Sequence, residues 1–300
     1  MQKPSSSNKS PIYLRLMGGL GNQLFQYAAG RSLADRLGVD LVLDDRYVVR
    51  KSQHTGLVLN AFNIRARLMT TLERQFFSER KIRLARWFKK LIRPLGKVFW
   101  ETQYNYDPSI DATPVGQLLI GFWQSEEYMY DLHQLRLDLE LKAPLSLAAQ
   151  KVSEVIDTVE SVALHVRRGD YLKDQKTIAR HGVCSQSYYQ SAIDLVLAEK
   201  PMAKFLVFSD DPQWVKVHLQ LPPQCTYVSK ASITAQEDLV LISRCKHQII
   251  ANSTFSWWGA WLNNSCDKIV VCPTPWFDDS RIATQDLLPA NWHQLPKNKI

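Results

Sequence analysis

Mostly apolar runs of strand length alternate with longer segments of helical character along the whole chain, which limits the folds open to it. A short apolar run that ends in turn-forming residues is typical of a strand buried on both faces. Strands that alternate with helices favour parallel sheets, because each helix carries the chain back across the sheet. The predicted strands lie at 12–16, 40–43, 118–120, 162–166, 205–208, 225–228, 248–251 and 269–271.

Helices are predicted between these strands, near 22–37, 126–137, 147–158, 187–198, 214–219, 237–243 and in the tryptophan-rich stretch that follows 251. A length of 300 residues fits two domains better than one. Pro144 marks the predicted linker between them. We therefore expect an α/β protein with two domains, 1–145 and 146–300, that face each other across a central cleft.

The composition is that of a folded protein without covalent or metal cross-links. Apolar residues make up 45% of the chain, and a chain of this length buries enough surface to fold unaided. The five cysteines are scattered without zinc-ligand spacing, so free thiols in a reducing compartment are expected. No run has the length of a membrane span, and residues 1–7 lack the apolar core of a signal peptide. These features predict a cytoplasmic protein.

The positive charge is concentrated in residues 65–97, where eleven Lys and Arg face only Glu73 and Glu79, a net charge of +9. Apolar residues recur in this segment at near-helical spacing. Two interpretations stay open: a basic amphipathic helix lying peripherally on an anionic inner membrane, or a helix pair packed on the N-terminal domain. Nucleic acid is not an expected partner, because no binding motif accompanies the charge.

A glycine-rich turn, Gly18–Asn22, follows the first predicted strand and opens a helix. Backbone N–H groups and the helix dipole can bind an anion there, and the side chains of Asn22 and Gln23 can bind sugar hydroxyls or phosphate. The alternative is a tight turn with an Asn cap. The glycine spacing matches neither the dinucleotide fingerprint nor the Walker pattern, which disfavours a dehydrogenase or a P-loop ATPase.

A second polar motif stands at the carboxyl end of the strand at 162–166, with His165 in the strand and Arg167, Arg168 and Asp170 in the turn that follows. Ligands of open α/β sheets bind at the carboxyl ends of the strands, and guanidinium groups hold phosphate in a fixed, permanently charged fork. The turn therefore predicts a phosphate-binding site. The alternative is a surface turn in which Arg168 pairs with Asp170.

Two further turns follow later strands. Asp210 and Asp211 precede Pro212, which favours a helix cap over a metal site because no third acidic residue is near. Asn252, Ser253 and Thr254 stand between a strand and the tryptophan-rich helix, an arrangement that binds anions at the helix N-terminus. Asp238 has two equal interpretations, a helix cap or an acceptor of hydrogen bonds from a nucleobase.

Four blocks of the chain, 18–27, 165–171, 208–211 and 252–262, together resemble the bacterial α-1,2-fucosyltransferases. The resemblance implies a GT-B fold of two Rossmann-like domains, with the last helix able to pack back on the N-terminal one. It implies GDP-β-L-fucose as donor and transfer of fucose to the 2-hydroxyl of a terminal galactose, with inversion and without metal or cofactor. The acceptor would be an oligosaccharide or a lipid-linked glycan.

The resemblance also assigns roles to the motif residues. Arg167 resembles the arginine that binds the β-phosphate, with Arg168 beside it. His165 and Asp238 resemble the positions that reach the guanine end. Ser253, Thr254 and Phe255 resemble the turn that holds the pyrophosphate, and Asn252 lies in the same turn. Asn22 and Gln23 would face the cleft from the N-terminal domain.

The catalytic base is the least determined residue. Related fucosyltransferases can have a glutamate ten residues after the histidine, where this chain has Gln175. Asp170 is the predicted base and Asp174 is a second candidate. A third alternative is that fucose forms an oxocarbenium-like centre so readily that no strong base is needed. Two other functions remain open, another nucleotide-sugar transferase on the same fold and a non-catalytic carbohydrate-binding protein.

Overall fold

Both halves of the chain form parallel sheets with helices between the strands, as the alternation of short apolar runs and helical segments predicts. The computed structural model describes residues 9–51, 56–82, 97–169, 172, 174–228 and 232–298. The chain divides into unit 1, which contains Met1–Lys142 and Gln285–Leu287, and unit 2, which contains Ala143–Thr284 and Leu288–Ile300. An α/β fold is therefore confirmed.

Unit 1 is built on a five-stranded parallel sheet with the strand order β3-β2-β1-β5-β4. Its strands are β1 Ile12–Arg15, β2 Leu41–Asp44, β3 Arg67–Leu68, β4 Val98–Trp100 and β5 Leu118–Ile120. Its α-helices are α1 Leu20–Leu37, α2 Arg46–Lys51, α3 Thr71–Phe76 and α4 Leu132–Asp138, and short 3-10 turns lie at Leu59–Ala61, Pro108–Ala112 and Glu126–Tyr128.

The basic segment 65–97 does not begin as the amphipathic helix that its spacing suggests. Arg67–Leu68 extends the sheet as β3, and the helix that follows is the six-residue α3 with a capping box formed by Thr70 and Glu73. Ion pairs from Arg65 to Asp138 and from Arg67 to Glu73 neutralise part of the positive charge within unit 1. Residues 83–96 lie outside the described chain, so the membrane interpretation stays a prediction.

Unit 2 contains a six-stranded parallel sheet with the strand order β11-β10-β9-β6-β7-β8. Its strands are β6 Ser161–Val166, β7 Lys204–Ser209, β8 Thr226–Tyr227, β9 His247–Ile249, β10 Val270–Thr274 and β11 His293–Pro296. Its helices are α5 Leu147–Thr158, α6 Gln175–His181, α7 Gln186–Glu199, α8 Pro212–His218, α9 Ala235–Arg244 and α10 Thr254–Leu262.

The side chains of β6 alternate between two hydrophobic clusters because successive residues of a strand face opposite sides of the sheet. Val162, Leu164 and Val166 pack with residues of α7 and α8 on one face. Ala163 packs with residues of α5 and α9 on the other. Helices therefore cover both faces of this sheet, which leaves its strand ends accessible to a ligand.

The last secondary-structure element of the described chain is a strand, not the expected helix. In the part of the chain that the structure describes, the last regular element is the strand β11, where a helix was expected. Lys297 follows this strand with only 1% of its surface exposed, and its Nζ donates to the backbone oxygens of His181 and Trp276. No helix of the described residues is long and apolar enough to cross a membrane.

Candidate functional site

The strand order of unit 2 places a ligand crevice between β6 and β9. From β6 the chain proceeds outward to β7 and β8, and it then returns to β9 on the opposite side of β6 and proceeds to β10 and β11. The two connections leave the sheet in opposite directions, and ligands of open α/β sheets bind at the carboxyl ends of the strands at such a point. The two polar turns of the sequence, 165–170 and 252–254, directly follow these two strands.

Asp210 shapes the turn that carries the two arginines. Its Oδ1 accepts a hydrogen bond from the backbone N–H of Arg168 at 2.9 Å, and its Oδ2 accepts from Gly169 at 3.1 Å. The Nε of Arg167 lies 3.3 Å from the same Oδ2. Asp210 was interpreted from the sequence as part of a cap, but only Asp211 caps α8, by accepting from the N–H of Trp214.

The two adjacent arginines have different environments. The side chain of Arg167 is 31% exposed beside Asp210 and is accessible to a ligand. Arg168 is only 8% exposed, and its guanidinium carbon lies 4.0 Å from the ring centre of Trp214. It was expected beside Arg167 at the diphosphate, whereas the structure packs it on the α7 and α8 face of the sheet, the side to which Val166 points.

His165 is a buried, neutral group at the end of β6. Burial, followed by the charge of Arg167, lowers its pKa from 6.5 to about 3, so the ring carries no charge at neutral pH. The ring centre lies 5.5 Å from that of Phe255 in the first turn of α10, and its buried Nδ1 has no hydrogen-bond partner. His165 can therefore exchange hydrogen bonds with a ligand, but it adds no positive charge.

A pH titration of stability tests the burial of His165. Because its pKa lies lower in the folded protein than in the unfolded chain, the unfolded state binds the extra proton below pH 6.5. The contribution of neutral His165 to the unfolding free energy is therefore fully present above pH 6.5 and is lost as the pH falls toward 3. We expect the wild type to lose about 2 kcal/mol more unfolding free energy than His165→Gln between pH 6.5 and 4.5. Urea unfolding at both pH values measures this difference. His293→Gln, which replaces an exposed histidine, is the control and should lose as much unfolding free energy as the wild type. Equal losses in the wild type and His165→Gln would contradict the burial of a neutral His165.

The N-terminus of α10 opens at the end of β9 without a side-chain cap. Ser253 is the N-cap residue, yet its side chain makes no capping hydrogen bond. The first backbone N–H groups of this helix thus lack the usual intrahelical and capping partners, and the helix dipole adds partial positive charge. Ser253, Thr254 and Phe255 stand at this end, where a diphosphate can accept from the backbone.

Asn252 holds the neighbouring loops and is not placed to bind a ligand directly. It is 1% exposed, and its Nδ2 donates to the backbone oxygens of His181, Gly182 and Trp276 at 2.8–3.2 Å. Its expected contact with the donor therefore becomes a positioning role. Asp238 lies in the first turn of α9, but Thr234 caps that helix in a capping box with Glu237, so the cap interpretation of Asp238 is wrong.

In unit 1, the glycine turn lies at the switch point between β1 and β5. Gly18 has a φ of +75°, and an added Cβ would lie 2.5 Å from the Nδ2 of Asn22. The Oδ1 of Asn22 accepts from Gln124, which follows β5, at 2.9 Å. Sequence reasoning missed Gln124, since no pattern distinguishes it. Asn22 is half-buried and lies where a ligand of this sheet would bind.

Gln23 has a structural role in the same turn. It is fully buried, and its amide bonds to the backbone of Gly18, Gly56 and Val58 at 3.0–3.3 Å. These bonds use its donors and its acceptor on the protein itself. The expectation that Gln23 faces a ligand is therefore replaced by a role in fixing the turn.

A network of charges lies where β2 and β3 of unit 1 end. Burial acts to raise the pKa of Asp44, but hydrogen bonds from Arg46 and the charge of Arg15 hold it below its ordinary value. Beside this network is a cavity of about 500 Å³ whose wall includes Arg46 and Arg74. The ion pairs with Arg15 and Arg46 explain why a carboxylate, Asp44, can end the buried strand β2.

The candidates for a catalytic base remain predictions. Asp170 lies outside the described residues. Asp174 is exposed, and its Oδ2 accepts from the backbone N–H and the hydroxyl of Thr177 at the start of α6. Gln175 is the first residue of that helix. Among the described residues no three His, Cys, Asp or Glu side chains form a group that could hold a metal ion, and metal independence stays a prediction.

Comparison with known proteins places these features in a family. The α-1,2-colitosyltransferase of Escherichia coli is 35% identical over 292 residues, which cover 96% of this chain and 100% of that protein. The galactoside α-(1,2)-fucosyltransferase 1 of Ateles belzebuth is 26% identical over 82% of this chain and 63% of its own length. A variant of Arabidopsis thaliana FUT1, solved with GDP, has the same fold, with a TM-score of 0.50 and 12% identity over 89% of this chain and 71% of that one.

The family model of glycosyl transferase family 11 matches residues 11–296, which include both polar turns of unit 2 and the glycine turn of unit 1. This match confirms the resemblance inferred from the four sequence blocks. The chain belongs to glycosyl transferase family 11, and its relatives include colitosyl- and fucosyltransferases that form α-1,2 linkages.

Proposed function

We propose that this enzyme transfers L-fucose from GDP-β-L-fucose to the 2-hydroxyl of a terminal galactose, with inversion and without a metal ion. The observation that carries the proposal is the crevice of unit 2. There the accessible Arg167 follows β6, and the uncapped N-terminus of α10 follows the adjacent β9. Fixed positive charge and N–H donors at this position suit a diphosphate leaving group.

Different residues of the crevice have different roles in the proposed reaction. As the bond from fucose to the β-phosphate breaks, negative charge develops on the diphosphate, and Arg167 with the first-turn amides of α10 stabilises it. The neutral His165 beside Phe255 lies next to this point and contributes hydrogen bonds toward the nucleoside. Asp170 is the proposed base that takes the proton of the acceptor hydroxyl.

Unit 1 is the proposed acceptor side of a GT-B arrangement. Asn22, at the switch point of its sheet, is proposed to bind sugar hydroxyls, and Gln124 orients its amide. The Arabidopsis protein of similar fold was solved with GDP, and the Ateles relative is named for a galactoside, which support the donor nucleotide and the acceptor.

A second donor is favoured by one specific observation, the 35% identity with a colitosyltransferase. Colitose is L-fucose without the 3-hydroxyl group. A site that hydrogen-bonds this hydroxyl rejects the deoxy sugar by roughly 10⁴-fold, whereas an apolar site discriminates by only about 10²-fold. The ratio of the two rates therefore shows which sugar the site is built for.

A donor and acceptor panel tests the proposal. GDP-fucose and GDP-colitose are each offered with oligosaccharides that end in galactose, glucose or N-acetylglucosamine. We expect the highest kcat/KM for GDP-fucose with terminal galactose, and NMR of the product should show an α-linkage at the 2-position. Preference for GDP-colitose would reassign the donor, and absence of transfer from both would overturn the proposal.

A further inference from the structure

A second polar cavity lies in unit 2 beside Arg168. Its volume is about 730 Å³, and its walls are Arg168, the first turns of α7, and Trp214 and His218 of α8. Trp214 stacks on His218, with ring centres 4.9 Å apart, and the guanidinium of Arg168 lies over the ring of Trp214. The reaction proposed above does not use this cavity.

Arg168 is a buried cation that has no carboxylate partner among the described residues. To the described residues its guanidinium donates one long hydrogen bond, from Nη1 to the backbone oxygen of Cys184 at 3.5 Å, and its buried Nε has no partner among them. Asp210 bonds to the backbone N–H of Arg168 and not to its side chain. Within the described chain no carboxylate forms an ion pair with Arg168. Buried charges in proteins are normally paired, so this arginine points to an anionic ligand.

The start of α7 adds a second source of positive potential to the same cavity. This helix is 14 residues long, has Ser185 as its N-cap and has no acidic residue in its first turn. The hydroxyls of Ser185 and Ser187 are hydrogen-bonded to each other at 2.8 Å at the wall. When Ser185 donates in this bond, the proton of Ser187 is left for a ligand. None of the described residues that line the cavity is acidic. The guanidinium of Arg168 and the dipole of α7 at this wall favour an anion.

We propose that this cavity is a second anion site, which takes a phosphate-type oxyanion held by Arg168, the Ser187 hydroxyl and the first backbone amides of α7. It lies on the α7 and α8 face of the sheet, whereas His165 and Phe255 pack on the opposite side. The site does not depend on the assignment of the donor. The oxyanion belongs either to free phosphate or to a phosphate group carried by an acceptor glycan.

Titration calorimetry with inorganic phosphate tests the site in protein saturated with GDP, at constant ionic strength. The variant Ser187→Asp places a carboxylate in the cavity, yet an acidic residue in the first turn is compatible with the helix. We expect the wild type to bind phosphate and Ser187→Asp to bind it at least about tenfold more weakly. Leu147→Asp, in the exposed first turn of α5, is the charge-matched control and should bind as the wild type does.

Two results would overturn the proposal: absence of phosphate binding in the wild type, or equal affinity in Ser187→Asp. Arg168→Gln, if it folds with a cooperative melting transition, should also lose phosphate binding. The GDP affinity of Ser187→Asp should equal that of the wild type. If the wild type fails to bind GDP, the proposed function is refuted. The phosphate titration can then be made without GDP, and it still tests this cavity.

The source of the oxyanion is distinguished by the KM for two acceptors, one neutral and one phosphorylated. A rise in KM for the phosphorylated acceptor alone in Ser187→Asp assigns the cavity to the acceptor. Unchanged KM values for both acceptors, together with the loss of phosphate binding, assign it to free phosphate.

Discussion

Replacement of Arg167 by alanine is expected to lower the rate of fucose transfer by about 10²–10³-fold and to abolish measurable GDP binding. The guanidinium is the accessible fixed cation at the end of β6, and it acts where negative charge develops on the leaving diphosphate. Arg167→Lys should restore part of the GDP affinity but less of the rate, because an ammonium cannot form the planar bidentate contact.

The control for this variant is Arg281→Ala. The side chain of Arg281 is 88% exposed and pairs with Asp279, so its loss removes the same charge from the surface without touching the crevice. Its rate and GDP affinity should match the wild type. GDP affinity that is unchanged in Arg167→Ala would show that the diphosphate binds elsewhere.

Replacement of Asp210 by asparagine should lower kcat/KM by roughly 10²-fold while the protein stays folded. Asp210 accepts from the N–H groups of Arg168 and Gly169 and faces the Nε of Arg167. An asparagine keeps one acceptor oxygen, but its NH₂ group then faces one of the two backbone N–H groups and cannot accept from it. The loop that carries Arg167 therefore loosens, and Arg167 loses its orientation. The effect acts through Arg167, which makes Asp210 a positioning residue.

The neighbouring carboxylate provides a matched control for this substitution. Asp211 caps α8, and asparagine is as good a cap as aspartate, so Asp211→Asn should change the unfolding free energy by no more than about 0.5 kcal/mol. We expect calorimetry to show weaker GDP binding in Asp210→Asn alone. Equal GDP affinity in both variants would show that Asp210 does not orient the donor site.

The sequence predicts the fold where strands are apolar and long enough to be recognised. β6 and β7 were predicted because their central residues are apolar, and these residues are buried on both faces. β3 was missed because Arg67 and Leu68 are exposed and lie in a basic segment with helical spacing. β11 was missed because His293 and Gln294 are polar, and its pairing with β10 is a tertiary contact.

The candidate site was predictable as a location and less so in its details. Parallel strands direct their carboxyl ends to one edge of the sheet, so the turns at 165–170 and 252–254 could be assigned to one crevice before the structure was known. The roles within those turns depend on side-chain direction. Arg168 and Asn252 look like donor-binding residues in sequence, yet they are 8% and 1% exposed. Arg168 packs on Trp214 on the α7 and α8 face, and Asn252 bonds to the protein itself. Asp210 could have been found by the same carboxyl-edge reasoning, since β7 lies beside β6.

A crystal structure of the GDP complex shows whether the crevice between β6 and β9 holds the diphosphate. We expect the β-phosphate to lie about 2.7–3.2 Å from the guanidinium of Arg167 and from backbone N–H groups in the first turn of α10. We also expect the guanine base to lie on the side of His165 and Phe255. A diphosphate bound away from the crevice between β6 and β9, for example against Arg168 beneath α7, would contradict the proposed donor site.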